Sequence, residues 1–332
     1  MLEKLEKNIP LLFKKLKFSF SLRDALILNQ KIKNKERFLT AAVRKNGKDF
    51  ILKIRLQDSQ EVVKDLKREL KILRFLKKKL PNKTAVPATI LSGQYQNLQW
   101  YLRERQAGKL SGKISSDFGF RKEFFNKVSP FEIIKILNNY QVFDAKKIRG
   151  LRLYRHGGWW YQQDFNFYKE SFLKSFIINN LLSENEINII NELLSENKKI
   201  LDEEAKYFCH GDLYPDNILV ADKNKVYFLD WGISNLNNLS FDVAFIYLDA
   251  WRNEKWKEKF LKLYTEKQKD KNKFKKLFRI SLISLSIRFT VHCWRYLENK
   301  KIGNSQKNNI IPVFKKNLEI LKAALHNYRP II

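Results

Sequence analysis

Residues 210–220 read His210-Gly211-Asp212-Leu213-Tyr214-Pro215-Asp216-Asn217-Ile218-Leu219-Val220. The run reads as a tight loop carrying an acid, Asp212, followed five residues later by an Asn that enters a short strand over 217–220. Phosphoryl transfer to a hydroxyl calls for this pair: a carboxylate that reaches the acceptor hydroxyl and an amide carbonyl that faces a metal on the nucleotide phosphates. Thirteen residues beyond Asn217, Leu229-Asp230-Trp231-Gly232 places a second carboxylate at the end of a strand over 225–229. Mg²⁺ prefers hard oxygen ligands, and one Asp with one Asn suits a site completed by phosphates and water.

The segment resembles the catalytic loop of the aminoglycoside phosphotransferase/choline kinase family, whose pattern is His-Gly-Asp-Leu, three residues, then Asn. Asp230-Trp231-Gly232 is similar to the family's metal-binding Asp motif and to the Asp-Phe-Gly of protein kinases. The resemblance implies Asp212 as catalytic base, Asn217 and Asp230 as catalytic Mg²⁺ ligands, and His210 as a residue that orients the loop. Phe241-Asp242-Val243-Ala244 matches a further family element, in which the Asp anchors the catalytic loop from a helix. Through these separated motifs the resemblance covers about residues 38–265.

A kinase also needs a cation for the phosphates. Upstream, 38–43 is strand-like, Asn46-Gly47 is a strong hairpin signal, and 49–55 is the return strand. Lys53 stands between Leu52 and Ile54 in that strand, which suggests an inward charge with a partner. Asp58 or Ser59 can cap a helix with Val62, Val63, Leu66, Leu70 and Leu73 on one face, and it carries Glu69, which can be that partner, as in the family's Lys–Glu pair. Pro81 and Pro87 bound a loop, and 90–91 and 98–102 read as further strands. The run 102–108, which contains Glu104, resembles the interlobe hinge where backbone groups meet adenine. No glycine occurs before Gly47, so a phosphate loop falls to 31–37, with Asn34 in the turn and Lys33, Lys35 or Arg37 adding charge. Residues 1–30 show only a weak helical pattern.

After Gly108 the pattern becomes mostly helical, with a capping box at Ser183–Glu186 and helical periodicity over 241–264, 274–297 and 311–326. The expectation is an α+β, protein-kinase-like bilobal fold. Residues 1–105 form a nucleotide-binding lobe, a small antiparallel sheet with one helix, and 106–332 form a mainly helical catalytic and substrate-binding lobe, with MgATP in the cleft between.

With 332 residues, 44% of them hydrophobic, the chain can bury a sizeable core. Its two cysteines, Cys209 and Cys293, fit free thiols and build no zinc site. No signal peptide is read at the N-terminus, and the apolar run 280–291 is short and broken by Arg288, so the expected location is cytoplasmic. The balance of 65 Lys+Arg against 35 Asp+Glu gives a formal charge of +30. Lysines scattered over solvated faces account for most of it, nucleic acid is disfavoured as a partner, and an anionic membrane surface stays open. Gly157-Gly158-Trp159-Trp160-Tyr161, Trp251, and His292 with Trp294 either wall a substrate pocket or pack a core. His156, His292 and His326 lack metal-type neighbours, no Ser-His-Asp arrangement or P-loop competes, and no metal besides Mg²⁺ is expected.

The resemblance thus implies ATP-dependent transfer of a γ-phosphoryl group to a hydroxyl of a small molecule: an amino alcohol, a sugar or an aminoglycoside-like compound. Two alternatives accompany it, a catalytically weak nucleotide-binding regulatory protein and a kinase acting on an anionic membrane or polymer.

Overall fold

A computed structural model of the chain describes residues 2–57, 59–80, 86–113, 117–143, 153–299 and 302–326; the alternative cap Asp58 and the loop boundary Pro81 lie outside them. The chain divides into two units, Met1–Ala107 with Leu229–Ile233, and Gly108–Phe228 with Ser234–Ile332.

The first unit is built on four antiparallel strands, β1 (Phe38–Lys45), β2 (Lys48–Arg55), β3 (Thr89–Tyr95) and β4 (Leu98–Glu104), in the order β1-β2-β4-β3. Asn46 and Gly47 both take positive φ, 49° and 73°, which two-residue hairpin turns require and which these two residue types tolerate best. The register sets Lys53 opposite Thr40 on one side and Tyr101 on the other. Among the described residues three helices accompany the sheet where one was expected: α1 (Leu2–Lys15), α2 (Leu22–Lys33) and α3 (Gln60–Lys79). Leu5, Ile9, Leu12 and Phe13 of α1 join Leu39, Leu52 and Ile54 of the sheet in one core. Lysines on the solvent side and Pro10 within the helix dilute that pattern in the sequence. Ser59 caps α3, accepting the Val62 N–H at 3.4 Å, and Val62, Leu66, Leu73 and Leu76 are buried.

The glycine-free stretch folds differently from the expectation. Lys31 and Lys33 belong to the last turn of α2, Asn34 caps it at φ −79°, and the left-handed residue is Lys35 at φ 54°. Arg37 is paired with Asp65, and Lys31 with Glu36 at 2.7 Å.

In the second unit the helices are α4 (Lys122–Lys127), α5 (Pro130–Gln141), α6 (Gly158–Tyr168), α7 (Lys174–Ile178), α8 (Glu184–Glu196), α9 (Lys198–Glu204), α10 (Ser240–Asp249), α11 (Glu254–Glu266), α12 (Lys271–Glu298) and α13 (Asn304–His326). Short strands β5 (Gly108–Leu110), β7 (Ile218–Ala221) and β8 (Val226–Phe228) make one sheet, and β6 (Tyr207–Cys209) pairs with β9 (Asn235–Asn237) in another. The periodic segment 241–264 is two helices: α10 ends at Asp249, and Asn253 starts α11 by accepting the Trp256 N–H at 3.0 Å. An Asn that offers its side chain to the next turn outweighs apolar periodicity that continues across the break. Every residue of α10 is buried, and it packs against α12. Cys209 and Cys293 are buried free thiols.

Candidate active site

Each unit gathers part of the expected set. In the first, Lys53 Nζ lies 2.8 Å from Glu69 Oε2 and 3.0 Å from Asp230 Oδ1. Strand β2 fixes the lysine and α3 the glutamate, whose other oxygen accepts the Tyr101 hydroxyl at 2.8 Å. Glu69 is 2% exposed, and burial raises its carboxyl pKa against the opposing pull of Lys53. For Lys53 burial acts downward, but the two carboxylates outweigh it and push the ammonium up to about 12. The lysine is therefore a permanent cation held between two acids.

Asp230 sits at φ 56°, in the left-handed region, with its carboxylate half exposed. Trp231 beside it is fully buried, and Arg68 of α3 donates its Nε–H to the Gly232 carbonyl at 2.7 Å. The Asp-Trp-Gly turn is thus clamped to α3 within the same unit. Glu104 ends β4; its N–H donates to the Ala88 carbonyl at 2.9 Å, and its carboxylate accepts from Gln106 at 3.4 Å.

In the second unit the loop 210–217 is held from behind. Asp242, fully buried on α10, accepts the N–H groups of His210 at 2.8 Å and Gly211 at 3.0 Å, and the Tyr140 hydroxyl at 2.7 Å. Burial raises its pKa, and these three donors oppose that rise. Gly211 needs its residue type, since its φ is 81°. His210 is fully buried and accepts the Asp212 N–H on Nδ1 at 3.3 Å. Asn217 spends its Nδ2 on Asp212, donating to the backbone carbonyl at 2.8 Å and to Oδ2 at 3.1 Å. Its carbonyl Oδ1, on the other branch of the amide, takes no part in that contact.

Asp249, the last residue of α10, was not singled out from the sequence. It is 1% exposed, and among the described residues neither carboxylate oxygen has a hydrogen-bond partner. Burial, then the negative charges of Asp216 and Asp212, raise its pKa well above the carboxylate range. It borders a water-sized space with Phe118, Tyr214, Phe289 and His292. A signal was present: Asp249 follows Asp242 by seven residues, two helical turns, in an otherwise apolar run, which puts both acids on one face.

Of the aromatic cluster, Tyr161 is buried and hydrogen-bonded to Asn237 and Ser281, Trp160 stacks on His156 at 4.1 Å, and Trp159 is 65% exposed. Trp251 donates its indole N–H to the Phe118 carbonyl at 2.8 Å, and His326 pairs with Glu186 at 3.0 Å. Among the described residues no helix is long and apolar enough to cross a membrane.

The fold is that of the protein-kinase-like phosphotransferases, α+β with an antiparallel sheet in the first unit and a mainly helical second one. Residues 133–271 match the model of the phosphotransferase enzyme family, which bears out the resemblance drawn from the catalytic segment. Among solved structures, the GDP complex of wild-type aminoglycoside 2′-phosphotransferase-IIIa is similar with TM-score 0.57 and 12% identity, covering 84% of this chain and 89% of that one. Choline kinase LicA from Streptococcus pneumoniae is similar with TM-score 0.52 and 16% identity, covering 90% and 98%. Spectinomycin phosphotransferase APH(9)-Ia, solved with ADP and spectinomycin, gives TM-score 0.57 and 15% identity over 87% and 89%. In sequence, a LicA homolog of Mycoplasma capricolum is 32% identical over 79 residues, which are 24% of this chain and 33% of that protein. The chain thus matches about a third of the length of this curated relative.

Proposed function

We propose that this protein is a MgATP-dependent phosphotransferase acting on a hydroxyl of a small molecule, an amino alcohol before a sugar or an aminoglycoside. The observation that carries the reading is the loop of Asp212, anchored from behind by buried Asp242 and braced by Asn217. A carboxylate fixed on a buried anchor suits an acceptor that presents a hydroxyl. Choline kinase among the similar folds, and the LicA homolog among sequence relatives, agree with such an acceptor.

In this reading Asp212 takes the proton of the acceptor hydroxyl on its carboxylate, while Asn217 holds that carboxylate in place through Nδ2. Asn217 Oδ1 and the half-exposed Asp230 carboxylate are hard oxygen donors that suit Mg²⁺. Among the described residues no group of three His, Cys, Asp or Glu could hold a metal alone, so phosphate and water would complete the shell. Lys53, fixed by Glu69, would hold the phosphates, and the run 102–108 with Glu104 would hold the adenine. When bound, MgATP supplies the electrophilic phosphorus and a cation that offsets charge on the phosphate oxygens. His210 and Asp242 keep the loop in shape and take no part in proton transfer.

The test is a screen for ADP formation and for the phosphorylated product with hydroxylated amines, sugars and aminoglycosides. Product formation that needs Mg²⁺ and an amino alcohol supports the reading; hydrolysis of ATP with no phosphorylated acceptor in any class overturns it.

A further inference from the structure

Helix α2 buries one side chain outright, Leu28, and presents larger apolar area to solvent. Leu22 and Leu26 are 81% and 63% exposed, and Ile27 is exposed beside them. Helical spacing gathers these residues on one face. Leu22, Leu26, Asn29 and Lys33 form one stripe, Arg23, Ile27 and Gln30 form the next, and all seven are exposed. The helix's own acid, Asp24, is tied into the cap, where its carboxylate accepts the Ser21 N–H at 2.8 Å. Glu36, just beyond the helix, is paired with Lys31 at 2.7 Å. The face therefore combines apolar side chains with two cations and carries no carboxylate. Exposed Lys17 and Lys35 continue the positive charge at its two ends.

Covering such a face is favourable, and its charge restricts what can cover it. A second copy meeting it about a two-fold axis would bring Arg23 and Lys33 against a surface with the same cations and no acid to pair with them. An anionic lipid surface suits both components. Leucine side chains enter the boundary between headgroups and acyl chains, roughly 5–10 Å deep, while long basic side chains reach back to the lipid phosphates. Asn29 and Gln30 can stay in the hydrated headgroup layer. We infer that this face of α2 docks the protein reversibly on an anionic membrane, with Leu22 and Leu26 inserted and Arg23 and Lys33 on the phosphates. The formal charge of +30 draws the chain to such a surface in any orientation, and the leucines select the face that stays. This holds whatever group the active site transfers.

Flotation of the whole protein with vesicles of phosphatidylcholine alone, and of equal parts phosphatidylcholine and phosphatidylglycerol, tests this. The protein should float with the mixed vesicles and not with the neutral ones. Part of that binding should survive near physiological salt, where screening acts over about 8 Å. Leu22→Gln with Leu26→Gln should weaken it by at least about tenfold, as two leucines leave the apolar layer. Arg23→Gln with Lys33→Gln should weaken it by about fivefold for each cation removed. Neither pair should shift the melting temperature, because the side chains are exposed. Equal flotation of the leucine variant overturns the inference, since scattered lysines would then do the binding without a docking face. Absence of flotation at low salt, loss of all binding near physiological salt, or equal flotation with neutral vesicles also overturns it. Sedimentation that shows a dimer in the wild type and a monomer in the leucine variant would assign the face to a second copy, and overturns it too.

Discussion

Lys53 and Asp230, 177 positions apart in the chain, meet at 3.0 Å. The carboxylate of the Asp-Trp-Gly turn is thereby set by a strand from the other end of the sequence, and Glu69 sets the lysine in turn. Removing Lys53 leaves Glu69 buried without its cation. Breaking a buried pair by deleting one partner costs about 3–5 kcal/mol. Lys53→Met should therefore lower the urea midpoint strongly, and Lys53→Met with Glu69→Gln should recover much of the loss. Nucleotide affinity should stay low in both. A double variant no more stable than the single one would show that the pair is not what holds this wall.

Asp212→Asn should lower turnover by about 10²–10⁴-fold, the usual contribution of a general base. MgATP binding by calorimetry should change little, because the amide retains the shape and can still contact Asn217. Turnover within tenfold of wild type, measured on an authentic acceptor, contradicts the base assignment.

Asp242→Ala leaves the His210 and Gly211 N–H groups and the Tyr140 hydroxyl without their acceptor inside the core. At about 1–3 kcal/mol for each unsatisfied group, the variant should lose roughly 3 kcal/mol or more. Denaturant unfolding measures this, and a loss under about 1 kcal/mol would mean the loop is held by other contacts.

Asp249→Asn should stabilise the folded protein at neutral pH. The sign follows from the raised pKa of the buried acid. Below the unfolded carboxyl pKa both states are protonated. As pH rises through that value the unfolded state ionises first, so the wild type loses stability up to its folded pKa, with a slope of at most about 1.4 kcal/mol per unit. The amide does not ionise, so its advantage should be small near about pH 4, the ordinary carboxyl range, and grow toward neutrality. An advantage that does not change with pH would show that Asp249 ionises in the folded protein as easily as in the unfolded chain.

The elements that recur as local patterns were legible in the sequence. Asn46-Gly47 announces its hairpin because its two residues tolerate the backbone that the turn demands. Lys53 and Glu69 could be paired in advance because a lone charge in an apolar strand needs a partner on the next element. What stayed hidden depended on tertiary context. α1 buries four side chains into the core of the sheet, yet its lysines and Pro10 blur the periodicity. Asn253 splits an apolar run with a single side-chain bond. Asp249 reads as an ordinary helix-end acid until its two oxygens prove to be buried without donors among the described residues.

The left-handed backbone of Asp230 carries a consequence for how such a chain can diversify. For most L-residues that conformation costs roughly 1–2 kcal/mol, and asparagine or glycine adopts it more readily than any other substitute. The replacements easiest on the main chain at this turn are thus the ones that delete its carboxylate. Asp230→Asn keeps that backbone while removing the carboxylate that Lys53 meets at 3.0 Å, so the turn and the ion pair can be lost separately. At this turn the main chain is indifferent to the carboxylate, and its pairing with Lys53 holds the acid in place.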